Sequence, residues 1–361
     1  MFFPGQGVQK VGMITPWLEA FPATVQPLVD EIDDTLGFRL SRVIRDGPGY
    51  ALTATPNAQP AIMATSVIIL RVLERDFGFS VADRVDFTLG HSLGEFAALV
   101  AAGILDFRDS LRMVRVRAEA MADATARARQ DFGGGDYGMV ALVTEPEHLP
   151  RLVAAIRDFV GPGASKAESS EHVPAVDQVS IANVNSRNQI VLSGSIERIR
   201  TLVAHVRQFL GHDPRAVRLN SDSPFHSPFM APAVATMRAL LEEEGGGGGD
   251  VVTFPGRVPC VSNVTARPFQ SRAELKDLLA RQCLETVRWW DSIRYLDQEE
   301  RVRRWIGIGP GKVGRNLVGK EVGMRGTDKV KGGGVWAITD PADIEEVLKG
   351  LEMTDAWVEG E

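Results

Sequence analysis

Ser92 sits in the stretch Gly90-His91-Ser92-Leu93-Gly94, with a glycine two residues to either side. A serine so placed can act as a nucleophile if a sharp turn lifts its hydroxyl clear of the backbone. Side chains at the two flanking positions would collide in that turn. The neighbouring residues supply the turn. Phe87-Thr88-Leu89 has strand character, and the alanine-rich run after Gly94 (Ala97, Ala98, Ala101, Ala102) reads as a helix able to pack close to a sheet. Such a helix points free N–H groups and the positive end of its dipole at the place where an oxyanion develops during acyl transfer. A glycine-flanked serine in an ordinary loop is the rival reading; the strand before it and the helix after it favour the nucleophile.

A nucleophilic serine needs a base. The chain has six histidines. His148 and His205 fall in amphipathic helical patterns, His172 in a loop-like insertion, and His212 just past a helix, where it reads as a cap. His91 adjoins the serine, and neighbours in such a turn point apart. His226 lies in "LNSDSPFHSPFM", a constrained loop rich in serine, proline and phenylalanine. It is the candidate base, with a structural histidine as its rival.

The elements that must carry these groups read as α/β. Residues 1–129 hold a helix over about Gln59–Arg75, the strand–turn–helix around Ser92, and a helical pattern ending near Gln130. A glycine cluster, "DFGGGDYG", then marks a boundary. Beyond it come a strand at Met139–Val143, a helix at Glu147–Val160, strands at Val179–Val184 and Gln189–Ser193, a helix at Ile196–Phe209 and a strand at Ala216–Leu219. That β-α-β-β-α-β order is ferredoxin-like. The expected architecture is therefore a large α/β domain over 1–129, a small ferredoxin-like domain inserted at 130–220, and the large domain resumed over 221–361. "GPGASKAESSEH" and "EEEGGGGGD" read as surface loops without chemistry.

Composition bounds the function. The 361 residues are 44% hydrophobic and 24% charged, as in a globular protein, and no apolar run approaches bilayer length. A net charge of −7 opposes general nucleic-acid binding. Cys260 and Cys283 lack metal-ligand spacing and read as reduced structural thiols. "GIGPGKVG" lacks the spacing of a phosphate loop and reads as a tight turn. No metal, cofactor, membrane or nucleic-acid role is expected. There is no secretory or transit signal, and the opening "MFFPGQG" reads as the end of a strand whose beginning is missing, from a processed or truncated start.

Six ordered motifs carry a resemblance over nearly the whole chain: "FPGQGVQKVGM", "GHSLGE", "NVNSRNQIVLSG", "FHSPFM", "VPCVSNVTARP" and "GIGPGKVGRNL". Together they resemble the malonyl-CoA:acyl carrier protein transacylases. The resemblance implies an α/β-hydrolase-like large domain with the ferredoxin-like insertion. It implies Ser92 as the acylated nucleophile and His226 as its base. It implies the N–H groups of Gln6 and Leu93 as the oxyanion hole, Arg117 as the partner of the malonyl carboxylate, and the Gln282 carbonyl as the group that orients the histidine. Phe225, just before the histidine, goes with malonyl preference in related domains.

The bland rival for Arg117 is a solvated charged face shared with Arg112, Arg115, Arg127 and Arg129. At helical spacing, however, Arg117 falls away from Arg112 and Arg115 and near Met113, Ala120 and Met121. The implied partners are malonyl-CoA and holo-acyl carrier protein, and a monomer is expected. The carrier would dock on a local basic patch, with Lys312, Arg315 and Lys320 or Arg281, Arg288 and Arg294 as candidates. Departures from the family are Thr286 in place of proline before Val287-Arg288-Trp289, which puts the turn near Gln282 in question, and extra loop length near 130–138, 161–178, 245–251 and 320–335. The extra loops resemble an organellar, mitochondrial-matrix member, with the cytoplasm as alternative. A serine hydrolase or thioesterase, and a non-catalytic carrier-binding module, are the other functions these residues fit.

Overall fold

The computed structural model describes residues 1–131, 134–160, 179–210, 213–246, 248–323 and 333–355. The 161–178 insertion with His172, His212, and the stretch 324–332 lie outside them. Among the described residues the strands are β1 (Phe2–Phe3), β2 (Thr88–Gly90), β3 (Tyr137–Val143), β4 (Val179–Ser186), β5 (Gln189–Ser195), β6 (Arg215–Arg218), β7 (Cys260–Val261), β8 (Arg304–Ile308) and β9 (Gly334–Ile338).

Five of them form one sheet in the order β7-β2-β1-β8-β9, parallel at every pairing. A parallel sheet needs cover on both faces, and the side chains divide accordingly. Phe3, Cys260, Ile306 and Trp336 enter the core built on helices Thr55–Asp76, Gly94–Ala101 and Phe107–Asp131. Their chain neighbours Phe2, Val261, Trp305 and Val335 face a second cluster with Trp289, Ile293, Leu317 and Val318. The alternation is the period-two signature of a strand.

The other four strands form an antiparallel sheet in the order β4-β5-β3-β6. With helices Leu149–Val160 and Ile196–Leu210, this is the ferredoxin-like arrangement expected from the sequence. Leu149, Leu152 and Ile156, and Ile196, Ile199, Leu202, Val203 and Val206, recur at three- and four-residue spacing and bury one helical face against Val140, Leu142, Ile190 and Leu192. The opposite face of the sheet, with Met139, Ala141 and Val191, joins the large core. There the Tyr137 ring lies 4.8 Å from that of Phe229.

The antiparallel sheet is also stitched by backbone to the segment that precedes helix Trp289–Arg294. Asn183 bridges Val287 in parallel fashion; the Val184 N–H donates to Val287 O at 3.0 Å, and the Val287 N–H to Ala182 O at 2.8 Å. Thr286 adds a hydroxyl bond to Ile181 O at 2.6 Å, which a proline at this position could not make. The sequence departure at Thr286 thus gains a tie to the small domain.

At the end of β2 the chain turns straight into helix Gly94–Ala101. A Cβ on Gly90 would lie 2.0 Å from the carbonyl carbon and oxygen of Gly94, and one on Gly94 would lie 2.5 Å from Pro4 O. Contacts that short are impossible, so the two glycines let the helix close onto β1 and β2. Gly90→Ala is expected to destabilise the protein by about 3 kcal/mol or more, because only backbone displacement relieves the overlap. Urea unfolding checks this, and a stability within about 0.5 kcal/mol of the parent would show that the turn tolerates a side chain.

Candidate active site

Three adjacent parallel strands deliver the site from their carboxyl ends, where open α/β sheets bind ligands. β2 ends at Gly90 and gives Ser92; β1 ends at Phe3 and leads to Gln6; β7 ends at Val261 and leads to Asn263. Ser92 has φ of +52°, the left-handed region that a side chain adopts only under constraint. It remains half-buried, at the head of the helix that begins at Gly94.

His226 arrives from the loop before helix Ala231–Leu241, also with a positive φ, +55°. Its N–H donates to Cys283 O at 3.0 Å, and its ring is buried. Nε2 lies 2.8 Å from Ser92 Oγ. Nδ1 lies 2.9 Å from the carbonyl oxygens of both Gln282 and Glu285. Carbonyls only accept, so the ring proton sits on Nδ1 and Nε2 is left as the acceptor for the serine hydroxyl. Burial depresses the imidazole to about 3, helped by the positive charge of Arg117 and by His91, while the two carbonyls pull the other way. The ring is therefore a neutral base at pH 7.

Arg117, on helix Phe107–Asp131, has no exposed surface. Nη1 donates to Gln59 Oε1 at 2.6 Å and Nη2 to Gln282 Oε1 at 2.7 Å; Nη2 also lies 3.5 Å from Ser92 Oγ. Both acceptors are neutral amides, and Nε finds no partner among the described residues. A buried guanidinium held by two amides and a hydroxyl, with no carboxylate hydrogen-bonded to it among the described residues, is a cation short of a direct counter-ion. Arg112 and Arg115, by contrast, pair at the surface with Glu243 and Glu119.

Gln282 does more than lend its carbonyl to the histidine. Its side chain holds Arg117 and donates to Ser92 O at 2.6 Å. Gln6 is half-buried, with its amide tied to Thr55 Oγ1 and to the Gln59 amide, both at 3.3 Å. Among the described residues, no acceptor takes the backbone N–H of Gln6 or of Leu93. The loop after β1 presses on the turn, for a Cβ on Gly5 would come within 2.8 Å of His91 O. Phe225 is buried in the core beside the histidine loop. Of the candidate carrier contacts, Arg281, Arg288 and Lys312 each have a carboxylate within ion-pair distance, Asp277, Asp291 and Asp343 respectively. Arg294 stacks on Trp290. Ion pairs thus engage three of the six candidate cations.

Sequence reasoning assigned no role to Gln59, Glu285, Glu95, Asn263 or Asn185. Asn185 Oδ1, on β4, lies 2.9 Å from His91 Nε2 and so joins the small domain to the turn. Asn263 Oδ1 accepts the Ser92 N–H at 2.7 Å, and Glu95 Oε1 accepts the Asn263 N–H at 2.8 Å. Burial pushes the Glu95 carboxyl up to about 7, against the Asn263 N–H, the Gln282 amide and the charge of Arg117. The signal that could have found Asn263 is its place just past an apolar strand in a parallel sheet.

A hydroxyl hydrogen-bonded to a neutral imidazole, two free N–H groups on the flanking turns and a buried cation suit acyl transfer of an anionic acyl group. Known proteins of similar sequence and shape carry such an activity in their names. The family model for the acyl transferase domain matches residues 1–156. A malonyl CoA-acyl carrier protein transacylase of Bacillus subtilis is 35% identical over 97% of this chain and 96% of its own. The Escherichia coli K12 protein of the same name is 30% identical over 86% of this chain and 88% of its own. Among solved structures, an acyl-carrier-protein-S-malonyltransferase of Bartonella henselae superposes with a TM-score of 0.77 at 32% identity, covering 97% of this chain and 98% of that one. A malonyl-transacylase in complex with a type II polyketide acyl-carrier protein gives 0.78 at 29% identity, covering 97% and 98%. Likeness of this extent, end to end in both chains, makes this chain a member of the malonyl CoA-acyl carrier protein transacylase family.

Proposed function

We propose that the chain transfers malonyl from malonyl-CoA to the phosphopantetheine thiol of holo-acyl carrier protein, through a malonyl ester on Ser92. The observation that carries the choice of acyl group is the buried Arg117 guanidinium, 3.5 Å from Ser92 Oγ and otherwise held by amides. A second carboxylate two bonds from the thioester carbonyl would reach that cation and supply the missing counter-charge. The same reading divides the chain into large-domain segments at 1–129 and 221–361 and a small domain at 130–220.

His226 Nε2 takes the Ser92 proton as Oγ attacks the thioester carbonyl. The N–H groups of Gln6 and Leu93 hold the oxyanion; one such donor is worth about 3 kcal/mol of barrier. The tetrahedral intermediate collapses, the C–S bond breaks, and the sulfur of CoA leaves with the proton from the imidazolium. The carrier thiol then gives its proton to Nε2, attacks the ester, and Ser92 recovers its proton as leaving group. With carbonyls in place of an acid behind Nδ1, the imidazolium is stabilised in part by the substrate carboxylate, which offsets the repulsion from Arg117. Phe225 narrows the pocket against branched acyl groups. Among the described residues no helix is long and apolar enough to cross a membrane. Loop lengthening supports the further reading of an organellar enzyme.

Exposure to malonyl-CoA should add one malonyl mass to the parent and none to Ser92→Ala. The adduct should persist until holo-carrier is added; release to water instead would make the protein a hydrolase, and absence of an adduct would make it a binding module. Arg117→Ala should cut malonyl transfer sharply and acetyl transfer little, since each charge-assisted hydrogen bond is worth about 1.5–3 kcal/mol. Competing half-reactions with the two thioesters measure the ratio, and equal losses would make Arg117 structural.

The depressed histidine also sets a pH dependence. Unfolded, His226 binds a proton below its ordinary 6.5; folded, it does so only near 3. Between these values the unfolded state holds the extra proton, so His226 makes stability fall as pH drops. The stability difference between the parent and His226→Gln should shift against the parent from pH 7 to pH 5 in urea unfolding. A difference independent of pH would contradict the buried neutral ring.

A further inference from the structure

The backbone of the serine turn has a polar problem that its own helix cannot solve. The Ser92 N–H and the carbonyl of Gly90 both lie at the turn where the ladder of β2 stops. One side chain meets both needs. Asn263 Oδ1 accepts the Ser92 N–H at 2.7 Å, and Asn263 Nδ2 donates to Gly90 O at 2.6 Å. The parallel register explains why residues so distant in sequence meet. Thr88 lies beside Cys260 and Leu89 beside Val261, so the chain two residues past β7 runs alongside the turn that follows Gly90.

Asn263 is fixed in turn by Glu95, in the first turn of the helix that Ser92 heads. Glu95 Oε1 accepts the Asn263 N–H at 2.8 Å. Glu95 has no exposed surface, and its other oxygen has no hydrogen-bond partner among the described residues. An apolar side chain would fill that space at a lower desolvation cost, so packing does not account for a carboxyl there. What the carboxyl does is hold the asparagine backbone, and so aim its amide.

We propose that Asn263 and Glu95 form a positioning clamp that locks the Ser92 backbone so that Oγ faces His226 Nε2 and the Leu93 N–H remains the free donor of the turn. Glu95 acts mainly through Asn263, and neither touches substrate. The inference rests on Ser92 being the nucleophile.

Intact-mass time courses of the whole chain with malonyl-CoA test it, with calorimetric malonyl-CoA affinity measured on a Ser92→Ala background. Asn263→Ala should slow acylation of Ser92 roughly 10- to 100-fold, the scale of a 1 Å misplacement, while affinity barely changes. Glu95→Ala should also slow it, and Glu95→Gln, whose Oε1 still accepts the Asn263 N–H, should recover most of that loss. The double variant Glu95→Ala/Asn263→Ala should be slower than Asn263→Ala by much less than the full Glu95→Ala loss, because most of the glutamate's effect passes through the asparagine and only the remainder through Gln282 and Arg117. Where an alanine variant fails to fold, Asn263→Ser and Glu95→Met, which fills the buried space without an acceptor for the Asn263 N–H, give the same comparison in a milder form. Folded variants of Asn263 that acylate at the parental rate overturn the clamp, as do independent, multiplying losses. A parent that takes no malonyl at Ser92 overturns the nucleophile reading itself, a different result from parental labelling with unimpaired variants.

Discussion

A hydrogen bond of 2.8 Å between Ser92 Oγ and His226 Nε2 joins residues 134 positions apart, and much of the fold bears on it. Each partner sits at a positive φ, +52° and +55°, a conformation worth roughly 1–2 kcal/mol of local strain that only surrounding structure can hold. On the serine side that structure is the close approach of β1, β2 and helix Gly94–Ala101, possible because Gly90 and Gly94 have no side chains. On the histidine side it is the pair of carbonyls at Gln282 and Glu285, which fix the ring and choose its tautomer.

Electrostatics gives the site its direction. Arg117 brings a full positive charge into a space walled off from water and satisfies it with the amides of Gln59 and Gln282 and the Ser92 hydroxyl. That charge helps keep His226 unprotonated; among the described residues no carboxylate is hydrogen-bonded to the guanidinium, and Glu95 acts on it only through space. A ligand carboxylate entering beside Ser92 would relieve the cation and make protonation of the imidazole easier at the moment the proton moves. On the proposed malonyl transfer, the same group would select an anionic acyl chain and ready His226 to take the proton.

The small domain is part of this arrangement and more than a lid. Its strand β4 pairs with Val287, two residues past the carbonyl of Glu285 that holds His226 Nδ1. Thr286 adds a side-chain bond to the same strand. Asn185, farther along β4, reaches His91 next to Ser92. Both partners of the Ser92–His226 bond are therefore tied to one antiparallel strand, so a shift of the small domain would be felt on both sides of it.

Local pattern alone made the turn around Ser92 readable, because its two glycines, the preceding strand and the alanine-rich helix are contiguous in sequence. The ferredoxin-like order of elements was readable for the same reason: strand and helix periodicities lie within each segment, and β3 to β6 follow one another without interruption. The family motifs pointed to Arg117 and Gln282, and helical spacing already separated Arg117 from Arg112 and Arg115. What no local pattern could supply was which distant polar groups would share a buried volume. Gln59 meets Arg117 because two helices cross, Asn263 meets Ser92 because β7 docks beside β2, and Asn185 meets His91 because the small sheet turns its face to the large core. Glu95 looks in sequence like an ordinary acidic residue at a helix start. Tertiary structure alone decided that it is buried, since burial depends on what packs against a side chain, and hydrogen bonds across 94 to 171 residues exist only once the strands that carry them are aligned.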